Sequence, residues 1–238
     1  MSILGSAIGT ASSAAAQAAA DAARREAMKK GKSEEQKKAI DFLFQASTDG
    51  CGCLSGKNKA MTMSEYMAMV QRKCQAMDLR SKALQKIGLD PSQVQEIPPI
   101  VLSSFVYDDD CLIRVDSNVV VSSQYSVAWI FFSSTQMYTY RYIFDTTSDN
   151  TWEMTKDFFY SDITCFSTEH EVKEKIDITA TKGCMTSGEN ITKNHYMVDR
   201  LEIIVPGTSY SFSLRNSDTI EQSIQAAKAM LREKKYSK

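Results

Sequence analysis

Cys51 and Cys53 stand one residue apart, and Cys74 follows on a nearby helical stretch. Three thiolates so placed are candidate ligands for a soft tetrahedral metal such as zinc. Zinc sites favour CxxC-type knuckles and four ligands, and this pattern offers neither. No metal and no cofactor is therefore expected; Cys51, Cys53 and Cys74 are the residues to follow if one is held. Asp108, Asp109 and Asp110 offer hard oxygen ligands. They lack the alternating spacing and the glycine of a calcium loop, so they read as a solvated acidic turn. His170 lies between Glu169 and Glu171, and His195 between Asn194 and Tyr196. Both read as solvated. No phosphate loop, GxGxxG, GxSxG or HExxH motif occurs. A cysteine–histidine nucleophilic pair has no local signature here. The chain is expected not to be an enzyme, and no residue is singled out as catalytic. An unforeseen pocket with a strongly shifted carboxylate would be the route to the opposite conclusion.

These residues sit in a chain of 238, with 43% apolar and 24% charged residues, the balance of a globular protein. Twenty-eight basic residues against 29 acidic ones leave a formal charge of −1. No overall field draws nucleic acid or an anionic membrane. Six cysteines without a repeated spacing are too sparse for a disulfide scaffold, and reduced thiols in a cytoplasmic protein are expected. The N-terminal run Met1–Ala20 lacks a preceding basic region and is broken by Thr10, Ser12, Ser13 and Gln17. It fits neither a secretory signal nor a membrane span. Twelve methionines, five of them between Met61 and Met77, read first as filler for an irregular core.

The composition changes near residue 98. Before it lie Ala, Lys, Gln and Met; after it lie Val, Ile, Phe, Tyr, Ser and Thr. A helical region over 1–97 is thus expected to precede a β domain over 98–238, joined at Pro98-Pro99. Ser6–Lys30 is alanine-rich and helix-prone, but alanine has little area to bury. That helix is expected to fray or to pack on another helix. Ser33 with Gln36 forms a capping box opening a second helix, whose apolar face is Ile40, Leu43 and Phe44. It is expected to end near Thr48-Asp49-Gly50, before a loop through Cys51 and Cys53. Thr62 with Glu65 forms another box, and one long helix is expected over Met63–Ile87, with Gly88 as its left-handed stop.

The second half alternates in the manner of strands. They are expected at 100–106, 111–115, 118–122, 125–133, 136–145, 157–168, 171–179, 196–205 and 208–214, some of them merging or failing. In the clearest hairpin, Tyr138, Tyr140, Tyr142 and Phe144 share one face and mark the core side. A closing helix is expected from an Asp218 N-cap, with Ile220, Ile224, Ala227 and Leu231 in one stripe. Lys228, Arg232, Lys234 and Lys235 load its last turns, where positive charge complements the helix dipole.

This order, an α+β chain with a C-terminal amphipathic helix, resembles the PH-like superfold, including bacterial PH and GRAM-type domains. The run Asp157-Phe-Phe-Tyr-Ser-Asp-Ile-Thr-Cys-Phe-Ser-Thr168 looks like a strand of bacterial PH domains. The resemblance covers about residues 100–235 and implies a bent antiparallel sheet of about seven strands plugged at one corner by the helix. It leaves the helical region unmatched. It also implies that basic residues around the first hairpin would grip an inositol phosphate. The matching loop here is Tyr107-Asp-Asp-Asp-Cys111, where each carboxylate repels a phosphate by about 1 kcal/mol even in full water. No inositol-phosphate binding is expected there.

Two partner classes follow. A non-enzymatic binding or adaptor module would present a sheet edge or the helix groove to a protein or peptide. Self-association through the N-terminal helix would add to it. Alternatively, a peripheral membrane protein would lay that helix on a bilayer through Arg24, Arg25, Lys29, Lys30 and Lys32.

Overall fold

The computed structural model describes residues 16, 19–44, 61–94, 97–116, 119–182, 187–215 and 217–236, with the backbone alone for 177–182, 187–191 and 236. Helix α1 covers 19–29. Its alanines bury little, and charge holds it instead: Arg25 Nε lies 2.6 Å from Asp41 Oδ1, and Lys29 pairs with the same carboxylate. Asp41 belongs to α2 (Glu34–Phe44). The expected capping box opens α2, with the Gln36 N–H donating to Ser33 Oγ and the Ser33 N–H to Gln36 Oε1. The proposed end of this helix and the Cys51–Cys53 loop lie outside the described residues.

The expected long helix is two. Helix α3 spans Met63–Gln75 and opens with the Thr62–Glu65 capping box. Helix α4 spans Leu79–Ile87 with Asp78 as N-cap, its carboxylate accepting from the Ser81 N–H. An acid that caps locally competes with continued helix, which accounts for the break. Gly88 takes φ 77°, and the Leu84 carbonyl accepts from the N–H groups of Gly88 and Leu89. That left-handed stop is the one expected.

The strands are β1 (Ile100–Phe105), β2 (Ile113–Asp116), β3 (Val119–Ser122), β4 (Gln124–Phe132), β5 (Gln136–Asp145), β6 (Thr151–Phe159), β7 (Cys165–Lys182), β8 (Ser187–Val205) and β9 (Thr208–Leu214). The fold class is α+β, and the described strands form three antiparallel sheets rather than one bent sheet. Their orders are β1-β4-β5-β6, β2-β3 and β7-β8-β9. The strand expected over 157–168 is divided: its start ends β6, a 3-10 turn follows at Tyr160–Asp162, and its end opens β7. The strand expected over 171–179 merges into β7. Helix α5 (Asp218–Tyr236) closes the chain, but its cap is one residue earlier than expected. Ser217 Oγ accepts from the Ile220 N–H, and the Ser217 carbonyl accepts from the Glu221 N–H.

Both faces of the four-stranded sheet are covered. Tyr140, Tyr142 and Phe144 on β5 pack with Val127 and Phe131 of β4 beneath Phe42, Tyr66, Met69, Val70 and Ala83 of the helices. The opposite residues, Ala128, Ile130, Phe132 and Met137, meet Leu201, Ile203 and Phe212 of the other sheet and Ile224, Ala227 and Leu231 of α5. The aromatic side is therefore one of two core sides, and α2–α4 share a core with the sheet. Period-2 alternation sends successive side chains into different cores. Arg141 ties the sheets: its Nε donates to Ser126 Oγ at 3.1 Å and its guanidinium to the Ser211 carbonyl at 3.0 Å. Helix α4 is clamped by Glu153 of β6, which pairs with Lys82 and, at 3.4 Å, with Lys86.

These clamps predict an acid response. Burial pushes Asp41 up, but hydrogen bonds from Arg25 and Lys29 outweigh it and hold the carboxyl below its ordinary 3.8. The hydrogen bond from Lys82 holds Glu153 below its ordinary 4.5. Each folded value lies below the unfolded one. The stabilisation is thus complete above the unfolded value and is lost as pH falls through the folded one. Melts recorded at neutral pH and near pH 3 should show a drop in Tm. The double variant D41N/E153Q should start lower at neutral pH and drop less; an unchanged drop would contradict the clamps.

Candidate functional site

The local sequence Tyr160-Ser-Asp-Ile-Thr breaks the sheet between β6 and β7 and turns the chain along α5. Tyr160 is buried, and its hydroxyl donates to the Ser133 carbonyl at 2.5 Å, anchoring the turn on the β4–β5 hairpin. Ile163 and Phe166 then point into the core that receives Leu231 of α5. A groove of about 360 Å³ opens between the start of β7 and the last turns of α5. Its floor is Ile163, Phe166 and Leu231, and one wall carries Lys228, Arg232 and Lys235. The helical period places these cations at i, i+4 and i+7, on one side of the helix. Lys235 Nζ donates to the Ile163 carbonyl at 3.1 Å and pins the helix end to the turn. No described carboxylate pairs with Lys228 or Arg232. In the described sheet β7 is an end strand, with β8 on its single paired side. The arrangement offers an apolar floor, positive charge along one side and a strand edge along the other.

The residues singled out for chemistry do not gather there. Cys51 and Cys53 lie outside the described residues. Cys74 is half-buried on α3, and burial pushes its thiol up to about 11, the behaviour of an inert packing thiol. Among the described residues no three His, Cys, Asp or Glu side chains are grouped to hold a metal ion. Asp108–Asp110 form a turn in which the Asp108 carbonyl accepts from the Cys111 N–H. Asp108 faces Arg200 at 3.8 Å, and Asp110 accepts from Gln124 Nε2 at 3.4 Å. Both histidines lie on the β7–β8 ribbon opposite carboxylates. His170 Nδ1 is 2.6 Å from Asp199 Oδ1, and His195 Nε2 is 3.7 Å from Glu174.

No family model, curated protein or solved structure matches the chain. Sequence reasoning gave the basic run of α5 to the helix dipole alone. The signal that distinguishes a groove wall is the i, i+4, i+7 spacing of Lys228, Arg232 and Lys235 beside the buried stripe of Ile224, Ala227 and Leu231. Among the described residues no helix is long and apolar enough to cross a membrane.

Proposed function

We propose that this chain is a non-enzymatic binding module that takes an extended acidic peptide segment into the groove between β7 and α5. The observation that carries this reading is the groove itself, in which Lys228 and Arg232, without carboxylate partners among the described residues, stand beside an apolar floor and a strand edge that no described strand shares. An added strand draws affinity from main-chain hydrogen bonds, while alternate side chains drop onto Ile163, Phe166 and Leu231. Acidic side chains on the peptide answer the basic wall. The PH-like resemblance supports the same reading. A four-stranded and a three-stranded antiparallel sheet followed by a helix suit a PH-like domain, with β2-β3 as an extra hairpin after its first strand. The membrane alternative is less favoured, because Arg25 and Lys29 of the basic cluster are already paired with Asp41.

Selection of a displayed random-peptide library on the full chain tests the proposal. Enriched sequences should combine acidic with β-branched or aliphatic residues. The double variant K228E/R232E should weaken the enriched peptides by about tenfold or more. Lys228 is half-exposed and Arg232 exposed, so the variant should stay folded, with only a small drop in Tm from acids placed near the C-terminal end of α5. Enrichment of basic peptides, or undiminished binding by the variant, would overturn the reading.

A further inference from the structure

A second concavity lies away from that groove. The end of β1, the start of β4, the β2–β3 hairpin, the middle of β8 and the end of β9 enclose a cleft of about 450 Å³. Such a volume is within the range that small organic ligands occupy. Four aromatic rings form its body. Phe105 and Tyr125 meet edge to face at 5.0 Å, and Tyr107 and Tyr196 are tilted at 5.6 Å. One ring is tied directly: the Tyr107 hydroxyl donates to the Val120 carbonyl at 3.0 Å. The rim is apolar and open, with Val119 44% and Met197 63% exposed.

The charges in the cleft are unequal in their engagement. Asp199 is already hydrogen-bonded to His170. Arg215, just after β9, is exposed and pairs with no described carboxylate. It lines the cleft together with Tyr107 and Tyr125. Arg215, without a carboxylate partner among the described residues, borders the aromatic cleft, and Asp199 lines it as well; that charge pattern suits a single negative charge better than two. A planar carboxylate also matches the guanidinium fork. From this cleft we infer that the protein binds a small monoanionic carboxylate with an aromatic body, its carboxylate on Arg215 and its rings against Tyr107, Tyr125 and Tyr196. The site is separate from the β7–α5 groove and does not depend on it.

Calorimetric titration of the full chain with 2-naphthoate, and with uncharged 2-naphthamide as control, tests the inference. Naphthoate should bind saturably, and naphthamide about tenfold more weakly or worse, the difference a charge-assisted hydrogen bond makes. R215Q should bring naphthoate down to the naphthamide level and leave naphthamide unchanged. M197E, which places an acid on the exposed rim, should weaken naphthoate as well. Both positions are exposed, so both variants should melt with the parent. No saturable binding of naphthoate up to about 1 mM, equal binding of the amide, or parental naphthoate affinity in either variant would overturn the inference.

Discussion

Replacing Ile224 with aspartate should unfold the protein or strip α5 from the sheet. Ile224 is 2% exposed and packs in the core shared by both larger sheets. An aspartate there loses the apolar contacts and buries a carboxylate with no partner. The loss of contacts alone costs about 2–5 kcal/mol, and the uncompensated charge adds several more. Total stabilities of about 5–15 kcal/mol leave little to spare. Q222D, on the exposed side of the same helix, should change stability by less than about 0.5 kcal/mol. Denaturant melts of the two variants check this. An I224D protein as stable as the parent would mean that α5 does not seal the core.

The second large effect is expected at Tyr66, on the other face of the sheet. Its ring is fully buried, stacks on Phe42 at 4.7 Å and lies 6.2 Å from Phe105. Its hydroxyl is 2.7 Å from the Ser122 carbonyl and 2.8 Å from Thr146 Oγ1. It joins α3 to the β3–β4 junction and to the chain after β5. Tyr66→Ala should cost about 3–5 kcal/mol through the cavity it leaves. Tyr66→Phe keeps the ring but removes the hydroxyl's bonds to the Ser122 carbonyl and to Thr146, which keeps its own bond to the Ser123 carbonyl, and should cost about 1–2 kcal/mol. Urea unfolding separates the two. A phenylalanine variant as damaged as the alanine one would show that the hydrogen bonds, not the ring, hold α3 down.

The parts of this fold that were legible in the sequence are those decided within a few residues. The boxes Ser33–Gln36 and Thr62–Glu65, the stop at Gly88, the β4–β5 hairpin and the stripe through Ile224 and Leu231 each depend on neighbours in sequence. The break at Asp78 was hidden because Met77, Leu79 and Leu84 continue an apolar pattern across it. Strand β6 was half missed because Thr151–Lys156 lie on a sheet edge, where Trp152 is 46% exposed and little alternation is imposed. The double-sided sheet did have a signal. Val127-Ala-Trp-Ile-Phe-Phe132 is an unbroken apolar run, as a strand buried on both faces should be. The candidate site was not legible, because Ile163 and Phe166 meet Lys228 and Leu231 across some sixty residues of chain. Only tertiary packing brings a helix-end charge run beside a strand edge.

Whether that groove is where a partner docks is most directly measured by amide hydrogen exchange on the full chain, with and without the most strongly enriched displayed peptide. Slower exchange confined to the start of β7, near Cys165–Thr168, and to the last turns of α5, near 228–235, is the predicted result. Protection that instead falls on β6, on the β7–β8 ribbon or on the helical face, or no protection at all, would contradict the account.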